Sequence, residues 1–306
     1  EQALMTIRLG VNEIVRKPFK REEISNAVKR VAVESELVKE NEQLFKEKQK
    51  TEKELTVLYN NLEKELSLAS DIQKSLMPKN DVNFGEYRIR YIYKPSQNIG
   101  VDFCDVLEID ENNFSVAFAD ISGHGIPASL LSTMLKVYIL NYGFDIKDTS
   151  KLMEVLNEDV IKVFPRGKFI SLFYLMIDFH TNKMKYCKAS QESAFLLRAG
   201  TNEIEELTTE GQVLGLFSKM DFPDIVNFEE KELTFEDGDK LLLFTDGIVE
   251  AKGLSGEYFG TERIKEIFTE NKDSENVLET IQEELFSFVG GDKLEDDLTF
   301  LLIERG

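Results

Sequence analysis

The stretch Phe118-Ala-Asp-Ile-Ser-Gly-His-Gly-Ile-Pro127 lies where a strand pattern gives way to a helical one. Apolar residues alternate with smaller or polar ones from Phe114 to Phe118, which predicts a half-buried β-strand with Asp120 at its end. The glycines then bend the backbone, and Pro127 suits the first turn of a helix. A carboxylate beside such open backbone can bind a cation, although an ordinary capped turn explains this stretch alone equally well.

Three further acidic motifs stand at the ends of strand patterns or in glycine turns. They are Gly100-Val-Asp-Phe-Cys-Asp105, Thr245-Asp-Gly247 and Asp296-Asp-Leu-Thr299. Each alone is more typical of a turn than of a ligand. Four together predict a shared site, because clustered carboxylates raise one another's pKa unless cations neutralise them. Mg²⁺ or Mn²⁺ prefers such oxygen ligands, and two ions about 3.5–4 Å apart suit hydrolysis of a phosphate ester.

Composition excludes several classes of function. The 306 residues include 37 basic and 57 acidic side chains, for a net charge of −20, which argues against nucleic acid and anionic membrane surfaces as partners. There is no run of 18 apolar residues and no signal-peptide pattern, so we expect a soluble, cytoplasmic protein. The two cysteines, Cys104 and Cys187, lack metal-ligand spacing, and two histidines do not supply a histidine-rich zinc site.

Residues 1–33 are too few to bury a core of their own. A short strand pattern over Asn12–Val15 is followed by the turn Lys17-Pro18-Phe19 and by a helical pattern over Glu22–Val33. This arrangement resembles the last strand and final helix of a response-regulator receiver domain. The resemblance implies that Lys17 matches the lysine that senses the phosphoryl group, and that the phosphorylated aspartate would lie upstream.

Residues 34–77 contain neither glycine nor proline and carry a flawed heptad repeat. The a positions are Asn41, Lys48, Leu55, Leu62, Ala69 and Leu76, and the d positions are Leu37, Leu44, Thr51, Leu58, Glu65 and Ile72. The pattern favours a coiled-coil linker and a parallel homodimer through residues 34–77, because a long isolated helix needs a partner for its leucine row. A single helix whose seam packs on its own domain is the alternative.

From Pro78 onward, strand and helix patterns occur in clusters. Strands are predicted over Tyr87–Lys94, Asn113–Asp120, Phe169–Phe179, Lys183–Lys188, Ser193–Arg198, Lys240–Thr245 and Leu298–Ile303, and helices over Ala128–Tyr142, Thr149–Val163, Thr261–Thr269 and Glu275–Val289. This order is not a βαβ alternation, so we predict an α+β fold with antiparallel sheets. Residues 183–188 and 193–198 are expected to form an antiparallel meander.

Seven motifs, in order and spacing, resemble those of the metal-dependent PPM (PP2C-type) protein phosphatases, and most closely the SpoIIE/RsbU branch. They are Ile72-Gln-Lys-Ser-Leu-Met-Pro78, Gly100–Asp105, Asp120–Ala128, Leu214-Gly215, Phe244-Thr-Asp-Gly-Ile-Val-Glu250, Phe259-Gly-Thr-Glu-Arg263 and Asp296–Thr299. The resemblance covers residues 66–306. It implies an α-β-β-α sandwich of two antiparallel sheets flanked by helices, with the phosphatase domain at residues 78–306.

The resemblance also implies roles for single residues. Asp102 and Asp120 resemble the bridging and inner-shell metal ligands, and the backbone carbonyl of Ile121 takes the place of a second-metal ligand. Asp246 and Asp296 resemble ligands of the other metal.

Other motif residues have no single implied role. Asp105 and Asp297 are candidates for solvation or for support of the ligands, and His124 for turn structure or phosphate approach. Thr245 and Thr299 are expected to be strand hydroxyls without a catalytic role.

By the same resemblance, the chain is a serine/threonine phosphatase that uses two Mn²⁺ or Mg²⁺ ions and no protein nucleophile. Its substrate would be a phosphorylated anti-sigma-factor antagonist, and the receiver would act through the dimeric helix. Two departures matter: Val101 replaces a family glycine and excludes a positive φ, and Ala189-Ser-Gln191 replaces Ala-Gly-His. They keep open a second hypothesis, a catalytically weak module that binds a sigma-pathway partner. A nucleotide cyclase, suggested by Gly-x-Asp-Phe, does not match the downstream motifs.

Overall fold

The computed structural model describes residues 13–15, 17–79 and 81–306. The strand predicted over Asn12–Val15 lies partly outside the described residues, and residues 13–15 are not in a strand, whereas the predicted helix over Glu22–Val33 is part of a longer helix. The described chain forms two compact units, one ending at Glu65 and the other spanning Leu66–Gly306.

Helix α1 (Arg21–Leu76) is continuous for 56 residues, as the lack of glycine and proline over most of its length predicts. Glu22 and Glu23 lie in its first turn and Lys74 in its last, which complements the helix dipole. Within the part of the chain that is described, none of the helices has the length and apolar character needed to cross a bilayer.

Residues after Pro78 build two antiparallel sheets. Sheet A has the order β1-β2-β11-β10-β7-β8 and consists of β1 (Val82–Phe84), β2 (Tyr87–Lys94), β7 (Ala194–Leu197), β8 (Ile204–Leu207), β10 (Lys240–Phe244) and β11 (Leu298–Arg305). Sheet B has the order β3-β4-β5-β6-β9 and consists of β3 (Phe103–Asp110), β4 (Asn113–Ile121), β5 (Ile170–Asp178), β6 (Lys183–Ala189) and β9 (Lys231–Thr234).

Helices cover the outer faces of both sheets. Helices α2 (Ile126–Tyr142) and α3 (Thr149–Val163) share a hydrophobic core with sheet B, and α5 (Gly260–Glu270) and α6 (Val277–Val289) share one with sheet A. A third core lies between the sheets. A single short turn of helix, α4 (Asp246–Val249), follows β10. The predicted α+β fold, an α-β-β-α sandwich of two antiparallel sheets flanked by helices, is confirmed.

Strand β4 shows why the sheets are apolar on both faces. Val116 and Phe118 belong to the core between the sheets, whereas Ala117 and Ala119 belong to the core beneath α2 and α3. The prediction of a half-buried strand was therefore wrong. Even Ser115 is 1% exposed, because neighbouring elements cover both faces of β4.

The expected meander of residues 183–188 and 193–198 was also wrong. Strand β6 pairs with β5 and β9 in sheet B, whereas β7 pairs with β10 and β8 in sheet A, so the chain crosses between sheets after Ala189. All four residues of β7 are buried. Alternation within each strand predicted the strands, but the choice of partner depends on residues distant in sequence.

Leu135 and Leu130 on α2 provide a matched test of the packing. Leu135 is fully buried against sheet B, whereas Leu130 is 60% exposed. We expect Leu135→Ala to lower the free energy of unfolding by about 2–5 kcal/mol and Leu130→Ala by less than about 0.5 kcal/mol. Urea unfolding, followed by near-UV circular dichroism of the tyrosines, measures the free energy of unfolding of both variants. Equal decreases in the two variants would contradict the described packing.

Candidate metal centre

Antiparallel pairing brings the four acidic motifs to one edge of the sandwich. In sheet B, Phe103 pairs with Ala119, so the start of β3 lies beside the end of β4. In sheet A, Phe244 pairs with Phe300, so the end of β10 lies beside the start of β11. Each acidic motif lies at one of these four strand ends. The convergence that spacing alone left open is therefore present.

Asp102 joins the two sheets at this edge. It precedes β3 and is 2% exposed, and its Oδ2 accepts hydrogen bonds from the hydroxyls of Thr245, at 2.9 Å, and Thr299. These threonines flank strand ends of sheet A. The sequence predicted only strand hydroxyls here, whereas the structure gives both a positioning role. No hydrogen bond from a described residue reaches Oδ1 of Asp102.

The clustered carboxylates raise one another's pKa. Burial, and then the charges of Asp120 and Asp297, raise the pKa of Asp102. Burial, and then Asp246 and Asp296, raise the pKa of Asp120 to about 7. Burial, and then Asp296 with other carboxylates, raise the pKa of Asp246 to about 6. These carboxylates are therefore close enough to interact, and a cation among them would be favoured.

The cluster opens towards solvent. Asp120 and Asp246 are half-buried and Asp296 is exposed, while Ile121 is buried as the last residue of β4. The side chain of His124 is exposed in the glycine turn and makes no hydrogen bond to the described residues. All the candidate donors are hard oxygen atoms, which suit Mg²⁺ or Mn²⁺.

The side chains do not form a closed three-ligand cage. Among residues 13–15, 17–79 and 81–306, no three acidic, histidine or cysteine side chains are placed to hold one ion. Mg²⁺ in proteins keeps several waters and is often bound by only one or two carboxylates, so the donor set still fits such ions.

Asp297 organises the backbone next to Asp102. Its Oδ1 accepts hydrogen bonds from the amide and hydroxyl of Ser96, at 2.8 and 3.0 Å, and its Oδ2 accepts from the amides of Val101 and Asp102. Both carboxylate oxygens are therefore engaged in holding the loop before β3. This places Asp297 in the supporting role that the sequence left open.

Two glycines allow the loops to approach closely. A Cβ on Gly247 would lie 2.2 Å from the carbonyl oxygen of Asp297, and one on Gly100 would lie 2.0 Å from the hydroxyl of Tyr93. Neither site has room for a side chain. Val101, next to Gly100, is buried in the core and has no positive φ, so the valine is accommodated without strain.

The end of α1 is bonded to this same loop. Gln73 is 6% exposed and its Nε2 donates to the carbonyl of Gly100 at 2.7 Å. Lys136 of α2 donates to the carbonyl of Leu76 and, at 3.1 Å, to Oδ1 of Asp105. Asp105 is thus paired with a lysine, although burial still raises its pKa. Gln73 and Lys136 were not predicted as site residues, because their partners are distant in sequence.

Gln191 lies behind Asp120. Its Oε1 accepts a hydrogen bond from the hydroxyl of Ser171 at 2.8 Å, and that hydroxyl is 3.3 Å from the carbonyl of Asp120. Its Nε2 is buried and has no partner among the described residues. Gln191 is therefore linked to the backbone of Asp120 through Ser171, a residue that the sequence did not predict at the site.

Known proteins resemble this chain in sequence and fold. The Stage II sporulation protein E (SpoIIE) family matches residues 110–306. Phosphoserine phosphatase RsbU of Bacillus subtilis is 23% identical over 246 residues, which are 80% of this chain and 71% of RsbU. Protein IcfG of Synechocystis is 22% identical over 79% of this chain, but the chain spans only 41% of IcfG.

A solved structure has the same fold. The SiaA-PP2C domain of Pseudomonas aeruginosa superposes with a TM-score of 0.67 at 19% identity, over 81% of this chain and 98% of that domain. At this identity the likeness concerns the fold alone.

The repulsion within the cluster gives a signed prediction for stability. Because the folded pKa of Asp120 lies above its unfolded value, unfolded chains release this proton between about pH 4 and 7 while folded chains retain it, so stability falls over that range. We expect Asp120→Asn, in EDTA at pH 8, to raise the free energy of unfolding by on the order of 1–3 kcal/mol, and to change it little at pH 4.

Asp110 is the matched control. Its pKa is lowered, first by the hydrogen bond from Lys147, so Asp110→Asn is expected to destabilise the protein at pH 8. Thermal melts of both variants in EDTA at pH 8 show whether Asp120→Asn raises the melting temperature and Asp110→Asn lowers it. An Asp120→Asn protein that melts below wild type at pH 8 would show that the cluster is not repulsive.

Proposed function

Since the chain belongs to the SpoIIE family, we propose that it is a metal-dependent protein serine/threonine phosphatase that hydrolyses phosphoserine or phosphothreonine in a protein. The observation that carries the proposal is the meeting of four acidic motifs at one edge of the sandwich, where burial and neighbouring carboxylates raise the pKa values of Asp102, Asp120 and Asp246. The name of RsbU, a phosphoserine phosphatase 23% identical to this chain, supports the same class of reaction.

Two Mn²⁺ or Mg²⁺ ions would be held by Asp102, Asp120, the carbonyl of Ile121, Asp246 and Asp296. When bound, such ions supply positive charge to the phosphoryl oxygens and lower the pKa of a water molecule. The oxygen-only donor set and the repulsion among its carboxylates support this assignment.

Other residues would keep the donors in place. Thr245 and Thr299 hold one oxygen of Asp102, which leaves its other oxygen for an ion. Asp297 holds the backbone that carries Asp102. These bonds make the arrangement rigid before a ligand arrives, which favours catalysis by preorganised charge.

A cysteine nucleophile is not available for this reaction. Cys104 and Cys187 are both fully buried, and burial raises the pKa of each thiol, that of Cys187 to about 12. Neither thiol would ionise near neutral pH or reach a phosphoprotein. Direct attack by water, without a covalent intermediate, is the route that remains for these residues.

We propose a phosphorylated anti-sigma-factor antagonist as the substrate, by analogy with the family. We also propose that an upstream receiver domain regulates the site through α1. Two contacts support this regulation: Gln73 attaches the end of α1 to the loop that carries Asp102, and Lys136 of α2 links the carbonyl of Leu76 to Asp105 of β3.

We further propose that the chain forms a homodimer through residues 34–77. The heptad leucines of α1 are unusually exposed for apolar residues: Leu37 53%, Leu44 57%, Leu55 65%, Leu58 66% and Leu62 52%. They lie on one face of the helix, so a second copy of the same helix would cover them.

Hydrolysis of p-nitrophenyl phosphate tests the activity. We expect turnover with Mn²⁺, none with EDTA, and a loss of at least about 100-fold in Asp120→Asn. Asp110→Asn, at the opposite end of β3, is the matched control and should keep wild-type turnover. If neither the wild type nor a fusion with a dimerising domain at residue 20 shows Mn²⁺-dependent turnover, the binding-module hypothesis replaces this one.

Sedimentation equilibrium tests the dimer. The double variant Leu58→Ala, Leu62→Ala should shift the protein towards monomer, because it removes adjacent d and a residues from the seam. Val57→Ala is the control, since Val57 is similarly exposed, at 59%, but occupies a c position. Unchanged mass and unchanged activity in the double variant would refute both the dimer and its role in regulation.

A further inference from the structure

A short basic loop lies beside the candidate metal centre. Pro165-Arg-Gly-Lys168 connects α3 to β5, and its turn is closed by a hydrogen bond from the amide of Lys168 to the carbonyl of Pro165 at 3.1 Å. Gly167 has a φ of +82°, which the turn requires. Lys168 therefore lies two residues before the start of β5, the strand that pairs with β4.

Lys168 is fixed against the glycine turn that follows Asp120. The amide of Ser122 donates to the carbonyl of Phe169 at 3.0 Å, and the amide of Phe169 donates to the hydroxyl of Ser122 at 2.8 Å. The Nζ of Lys168 donates to the carbonyl of Ser122 at 3.2 Å. The two loops are therefore held together by three hydrogen bonds.

Gly123 makes room for this ammonium group. Its φ is +109°, and a Cβ at this position would lie 2.3 Å from the Nζ of Lys168. The ammonium therefore lies directly over the backbone of the turn, two residues from the carbonyl of Ile121. Any side chain at position 123 would displace it.

The charge of Lys168 is not neutralised by the protein. No acidic side chain among the described residues lies within ion-pair distance of its Nζ, although the chain has a net charge of −20. By contrast, Lys136, on the other side of the centre, is paired with Asp105 at 3.1 Å. Lys168 is half-buried, so its charge is only partly screened by water. An ammonium group has three donors, and the bond to Ser122 leaves two for a ligand.

We propose that Lys168 binds the phosphoryl group of the substrate, donating a charge-assisted hydrogen bond from Nζ to a phosphoryl oxygen. The inference rests on the proposed phosphatase function and names a substrate-binding residue for it. Two divalent ions would only balance the four aspartates, so a phosphomonoester dianion would gain additional attraction from this nearby cation. The ligand class is a phosphomonoester dianion, or the phosphate ion that remains after hydrolysis.

Variants of Lys168 in the full chain, loaded with Mn²⁺, test the proposal. Lys168→Met removes both charge and donor, whereas Lys168→Gln keeps a donor for the carbonyl of Ser122 but removes the charge. We expect both to raise KM for p-nitrophenyl phosphate and the inhibition constant of inorganic phosphate by about 10- to 100-fold. Lys168→Arg should retain most of the affinity. Titration calorimetry with inorganic phosphate gives a readout that does not depend on turnover.

Lys183→Met is the matched control. It makes the same change in net charge at the far end of the β5–β6 ladder, where Lys183 of β6 lies opposite Asp178 and its Nζ forms an ion pair with Glu232, and should leave both constants unchanged. Recovery of wild-type phosphate affinity in Lys168→Gln would mean that Lys168 only supports the turn, and would overturn the inference. If the wild type hydrolyses the substrate and Lys168→Met leaves the inhibition constant of inorganic phosphate unchanged, the role of Lys168 is overturned while the phosphatase function stands. Absence of hydrolysis in both the wild type and its fusion with a dimerising domain would instead overturn the proposed function, and this inference with it.

Discussion

The candidate centre depends on one buried carboxylate that is shared between two sheets. Asp102 directly precedes β3 of sheet B. The hydroxyls that donate hydrogen bonds to its Oδ2 come from Thr245 and Thr299, at strand ends of sheet A. A buried carboxylate without such donors would be costly, and each hydrogen bond to a charged group contributes about 1.5–3 kcal/mol. The two sheets are therefore bonded to each other where the acidic residues meet, and their relative position sets the geometry of the whole edge.

This edge is stabilised by its surroundings and by the hydrogen bonds that Asp102 and Asp297 accept, and not by contacts between the acidic side chains. The aspartates repel one another, while the cores between the layers and the backbone bonds made by Asp297 hold the strand ends together. The close approach of the loops leaves room only for glycine at positions 100 and 247. Such a combination of local repulsion and rigid support is typical of sites that bind ligands of opposite charge.

Local patterns predicted those parts of the fold that depend on neighbours in sequence. The bounds of β2 and α3 agree with the predicted Tyr87–Lys94 and Thr149–Val163, because period and turn residues define them. Sheet partners were not predictable in this way, which is why β6 and β7 were expected to pair and do not. Strands β1, β3, β8 and β9 were not predicted, because β1, β8 and β9 span only three or four residues each and the acidic residues of β3 resemble a turn. At the site, the acidic motifs were visible in the sequence, whereas the roles of Ser171, Gln73 and the two threonines arise from contacts across 20 to 197 positions.

The bond between Gln73 and Gly100 also limits how such a protein can be rearranged in evolution. The final turns of α1 belong to the same compact unit as the sandwich. The segment that recombination must keep together therefore begins near Leu66, and not at Pro78, where the helix has ended. A recombination junction placed at Pro78 would separate Gln73 from the carbonyl it satisfies and leave that buried carbonyl without its donor. Exchange of the preceding segment therefore leaves this unit intact only when the break falls earlier in the helix. In this sense the last turns of α1 belong to the same unit as the candidate site, although their sequence resembles a linker.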